Sequence, residues 1–145
     1  MTVQFAVRTQ LPIVPNAWLR VTVHDTVAHL RLCADRVSRG SIDHTHTAAV
    51  FQPVARRERF VGGRWVAVTP PSYVGVLRIT REHGGATLAH EVTHAALEVY
   101  RRHIDPTAAL GEEVTDEAEE VVAYLVGDLF GGIASRLLDL GIWGR

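Results

Sequence analysis

Residues 86–103 place Leu88, Ala89, Val92, Ala95, Ala96 and Val99 at a spacing that closes into one stripe of an α-helix and fits neither face of a strand. The pattern predicts a helix over Ala86–His103, entered from Gly84-Gly85 and closed before Asp105-Pro106. At about 100° per residue, the midpoint of His90 and His94 lies opposite that stripe. The stripe should therefore pack on a sheet while both histidines face away from it. Four residues apart on one side, their rings can share one metal ion.

The five residues are His90-Glu91-Val92-Thr93-His94. A zinc ion takes imidazole nitrogen at about 2.0–2.1 Å in a tetrahedral shell, and a reactive site keeps one of its four positions open. Glu91 borders that open side, where a carboxylate can take a proton from water activated by the metal. In a chain of this composition, His-Glu-x-x-His arises by chance about 0.03 times. The third ligand should come from the acidic segment Glu112, Glu113, Asp116, Glu117, Glu119, Glu120. By helical phase against Val114, Ala118, Val121, Leu125 and Leu129, Glu117 lies nearest the buried edge and Glu120 farther round.

The chain ahead of this helix reads mainly as strands. Thr2–Arg8, Trp18–Val23, Ala48–Gln52, Arg64–Val68 and Tyr73–Thr80 are predicted strands, separated by Pro12, Pro15, Gly62-Gly63 and Pro70-Pro71. Between them, Asp25 or Thr26 can cap a helix with Val27, Leu30, Ala34 and Val37 on one face, ending at Gly40. A strand over 27–33 is the competing reading. After the motif helix, a second helix is expected over Glu112–Leu129 and a short third over Ile133–Leu140. Strands first and helices last predict a single α+β domain over 1–145. A small, mostly antiparallel sheet should pack on the motif helix and the Glu-bearing helix after it.

Composition narrows the function. With 47% hydrophobic and 21% charged residues, 145 residues can bury a core. A formal net charge of −1 argues against general nucleic-acid binding. One cysteine, Cys33, forms no internal disulfide, and no Cys-x-x-Cys is present. Met1–Leu11 has no apolar core of a signal peptide. Val121–Trp143 is interrupted by Asp128, Arg136, Asp139 and four glycines, which reads against a membrane span. A cytoplasmic protein with no membrane partner is expected.

The order of a strand (Tyr73–Thr80), a His90–His94 helix and a helix with Glu120-Val121-Val122-Ala123 resembles the gluzincin metallopeptidases, both thermolysin-like and minimal "minigluzincin" enzymes. Small phage-encoded proteins of this plan look closest, on His90–Leu97 and Glu119–Gly127. The resemblance covers about residues 73–130 and leaves 1–72 without a counterpart. It implies Zn2+ on His90, His94 and Glu120, with Glu119 and Glu117 as rivals for the third place. It also implies Glu91 as general base and a peptide or protein substrate. Tyr124 stands where an acidic residue or Asn often follows the ligand Glu. The metzincin pattern fails at Leu97 and Tyr100.

A non-catalytic zinc module and a metal-free α+β domain are the competing readings of the whole chain. Other residues carry smaller expectations. His44 and His46 share a face if their segment is a strand. His83 and His103 flank the motif helix, and Arg56, Arg57 and Arg59 form a basic loop cluster. Tyr73–Thr80 reads either as an edge strand that pairs with an extended peptide or as an ordinary sheet strand.

Overall fold

The computed structural model describes residues 2–14, 16–55, 57–68, 72–82, 84–105 and 116–143. Its strands are β1 (Val3–Arg8), β2 (Trp18–His24), β3 (Val50–Pro53), β4 (Glu58–Val61), β5 (Arg64–Ala67) and β6 (Tyr73–Thr80). Its helices are α1 (Val27–Ser38), α2 (Gly85–His103) and α3 (Asp116–Asp139). The fold is α+β, with a four-stranded sheet in the order β1-β2-β6-β3 and a separate β4-β5 hairpin. β1 runs antiparallel to β2 and β3 antiparallel to β6, whereas β2 and β6 are parallel, so the sheet is mixed.

Alternation along the strands divides the sheet into two unlike faces. Leu19, Val21, Val23, Phe51, Leu77 and Ile79 join Leu88, Val92, Ala95, Ala96 and Val99 of α2 and Leu125, Leu129, Ile133 and Leu137 of α3 in one core. The α2 stripe is the one that the sequence predicts. The opposite face carries Thr22, His24, Gln52, Arg78 and Thr80, and α1 covers it with Leu30 and Ala34. Thr26 caps α1 by accepting the His29 N–H (3.1 Å), which settles 27–33 as helix.

β6 pairs on both sides, so Tyr73–Thr80 is an interior strand, and the edge beside α2 belongs to β3. Gly75 makes that pairing close: its φ is +151°, and a Cβ there would stand 2.8 Å from the Pro53 Cα. Gly62 and Gly63, with φ of 59° and 80°, turn the β4-β5 hairpin. β4 takes up Arg59, which the sequence reading leaves in a loop. Arg56 and His83 lie outside the described residues.

The separate third helix over Ile133–Leu140 does not form, because α3 runs unbroken through Gly127, Gly131 and Gly132 to Asp139. Among the described residues, α3 is the one helix long and apolar enough, by length and composition, to cross a membrane; its most apolar 18-residue window has a mean hydropathy of 1.5. The interruptions in Val121–Trp143 therefore do not exclude a span on those grounds. One side of α3, from Leu125 to Leu137, is buried in the core, while Tyr124 and Leu138 are exposed.

Candidate metal centre

His90 and His94 stand on the side of α2 turned away from the sheet, as the phase requires. Their Nε2 atoms are 3.2 Å apart. Two nitrogens on one tetrahedral zinc ion are separated by about 3.3–3.4 Å, so the pair is spaced for a shared ion. His90 is well exposed, with 70% of its side-chain surface accessible, whereas Glu91 between them is mostly buried at 12%. The two Glu91 carboxylate oxygens are placed differently. Oε2 accepts the backbone N–H of Phe51 at 2.8 Å, and Oε1 lies 3.9 Å from His90 Nε2.

A cleft of about 530 Å³ opens between β3, α2 and the end of α1. Val50–Pro53 form one wall, Glu91, His94, Glu98 and Arg101 another, and Val37 and Ile42 add apolar surface. The C-terminal half of α2 is tied down at this wall. Glu98 accepts from Arg101 at 3.0 Å and Arg102 at 2.6 Å, and Arg102 also donates to the Val54 carbonyl at the end of β3.

His44 reaches the same cleft from a turn, so the strand reading of His44 and His46 fails. His44 is buried with its Nδ1 3.3 Å from Thr47 Oγ1 and no hydrogen-bond partner at Nε2 among the described residues, whereas His46 is exposed. His103 is half-buried in the last turn of α2.

The third ligand of the sequence reading is not brought to the pair. Glu117, Glu119 and Glu120 are all exposed on the first turns of α3. None joins His90 and His94 in a group of three donors within 4.8 Å. Residues 106–115, Glu112 and Glu113 among them, lie outside the described ones.

Among the described residues, the group of three donors that does meet this spacing, and could hold a metal ion, is His24, His29 and Cys33. His24 ends β2 and is buried; His29 and Cys33 lie four apart on α1, exposed and half-buried. His24 Nδ1 is 3.3 Å from His29 Nδ1, and His29 Nε2 is 3.6 Å from Cys33 Sγ. Burial lowers the His24 pKa to about 4, helped by the Arg78 guanidinium and then by His29. This group lacks the Cys-x-x-Cys spacing by which a cysteine metal site is read from sequence, and so was not among the expected sites. The signal open to sequence was His29-x3-Cys33 on one face of the predicted helix; that His24 meets them depends on how α1 lies over the sheet. No family pattern, curated protein or solved structure matches this chain.

Proposed function

We propose that this protein is a zinc-dependent peptide-bond hydrolase acting at the cleft between α2 and β3. The observation that carries the reading is the His90–His94 spacing of 3.2 Å with a Glu91 oxygen 3.9 Å from the same ring. His90 and His94 would hold the ion through Nε2. Zinc there supplies a Lewis acid that polarises a carbonyl and brings the pKa of water towards about 7.

The chain's own groups account for the rest. The Phe51 N–H holds Glu91 Oε2, so Oε1 is the oxygen left to take a proton from the attacking water and return it to the leaving amine. β3 is the sheet edge along the cleft, but its Phe51 N–H is taken by Glu91 and Pro53 has none to donate, so a substrate peptide would lie in the cleft beside β3 without adding to the sheet at those positions. Val37 and Ile42 would face an apolar substrate side chain. The resemblance adds Glu120 as third ligand. From its exposed place, that role requires the Glu120 carboxylate to move towards the pair when metal binds.

A second reading, a zinc module without catalysis, is favoured by one observation: Glu91 already spends one oxygen on tying β3 to α2. Zinc titration followed by calorimetry tests the site itself. In a Cys33→Ser background, which disables the His24, His29 and Cys33 group, one zinc per chain is expected, with affinity lost on adding His90→Ala/His94→Ala. Undiminished binding after that addition would remove the site.

A further inference from the structure

The α1 side of the sheet holds a cluster that the hydrolase reading does not use. Gln52 Nε2 donates to the Ala34 carbonyl at 3.0 Å, and Arg78 Nε donates to Gln52 Oε1 at 2.9 Å. Arg78 Nη1 then meets His24 Nε2 at 3.4 Å. A guanidinium can only donate, so His24 Nε2 must accept, and its ring proton sits on Nδ1. That proton points at His29 Nδ1, which accepts it. The His29 proton is then on Nε2 and faces Cys33 Sγ. Without metal, the four side chains form one run of hydrogen bonds with a single direction, from Arg78 to sulfur.

We propose that His24, His29 and Cys33 are a second metal site, for a thiophilic ion such as zinc or copper(I), and that Arg78 competes with the ion for His24. Two imidazoles and a thiolate select such ions over magnesium or calcium, which prefer oxygen. Three protein ligands leave one position open. The exposed His29 ring can turn either nitrogen inward and provides the way in for the ion. Binding displaces the Cys33 thiol proton to solvent and changes no oxidation state.

The competition follows from the ring protons. An ion on His24 Nδ1 needs that nitrogen's lone pair, so the ring proton moves to Nε2, where it faces the Arg78 N–H. Two donors cannot remain 3.4 Å apart without cost, so Arg78 Nη1 has to turn away while its Nε keeps Gln52. His90 and His94 share no residue or element with this site. Either site can therefore fail without the other.

Cobalt(II), a spectroscopic stand-in for zinc, tests the proposal on the reduced full chain. Cys33 is the single cysteine, so a sulfur-to-cobalt charge-transfer band in the near ultraviolet reports it alone. The band should saturate at one cobalt per thiol and survive His90→Ala/His94→Ala. It should vanish in Cys33→Ser and need at least about tenfold more cobalt in His29→Ala, an exposed position where folding is not at risk. In Arg78→Met, binding should tighten by about fivefold. No band in the wild type overturns the site. A band that His29→Ala leaves unchanged reduces it to adventitious binding at the thiol. A band unaffected or weakened by Arg78→Met removes the competition.

Discussion

The backbone N–H of Phe51 donates to Glu91 Oε2 at 2.8 Å, and this bond joins the edge strand β3 to the helix that carries the paired histidines. The acidic residue of the motif therefore has a structural partner as well as a chemical role. A buried backbone donator on a sheet edge needs an acceptor, and Glu91 is the one supplied.

Glu91→Gln and Glu91→Ala should separate those two roles. A glutamine keeps a carbonyl oxygen for Phe51, so its unfolding free energy should stay within about 1 kcal/mol of the wild type. Alanine leaves the N–H without that acceptor and should cost about 1–3 kcal/mol. Denaturant unfolding of both variants measures the difference. Equal stability of the two would show that the Phe51 bond contributes nothing.

The third ligand is tested by zinc affinity in Glu117→Gln, Glu119→Gln and Glu120→Gln. If the Glu120 carboxylate closes on the pair, Glu120→Gln should weaken binding at least about tenfold and the other two little. A dominant loss in Glu117→Gln would instead support helical phase. Unchanged affinity in all three would leave the two histidines alone on the ion and favour the non-catalytic reading.

In the metal-free protein, His24 should make stability depend on pH. Its pKa is about 4 when folded, against 6.5 in the unfolded chain. On acidification the unfolded chain takes the proton first, so the contribution is complete above about pH 6.5 and is lost as pH falls towards 4. The full change is up to about 3 kcal/mol. Arg78 from β6 and His29 and Cys33 from α1 are the groups facing it. Asp43, whose pKa is lowered mainly by its hydrogen bond from the Thr45 hydroxyl, loses its contribution only below the usual carboxylate range, so the windows do not overlap. Urea midpoints from pH 7 to pH 4.5 should fall in the wild type and much less in His24→Gln. Parallel curves would exclude His24 as the source.

What could be read in advance follows where information is local. The α2 stripe, the Thr26 cap and the Gly62-Gly63 turn are each fixed by residues a few positions apart, and each appears in the structure. Sheet order is set by pairing partners far apart in sequence. Nothing within Tyr73–Thr80 tells that both its sides are taken, and the edge went to Val50–Pro53 instead. His44 was legible as a polar loop residue or as a partner of His46 on a strand face, but its burial beside the cleft depends on the fold around it. His90 and His94 follow from one helix's periodicity. Glu120 depends on how a second helix packs beside the first, and no short-range pattern specifies that angle. His24, His29 and Cys33 were each visible, but their meeting required knowing that α1 lies over the β2–β6 face.

The central claim, metal-dependent hydrolysis with Glu91 as base, is tested most directly by one paired assay. Cleavage of an unstructured peptide mixture is followed by mass spectrometry for zinc-loaded wild type and zinc-loaded Glu91→Gln, with zinc content measured in both. The account predicts cleavage by the wild type and a loss of at least about 100-fold in Glu91→Gln at equal zinc content. Full zinc occupancy without cleavage by the wild type, or equal cleavage by both proteins, would contradict it.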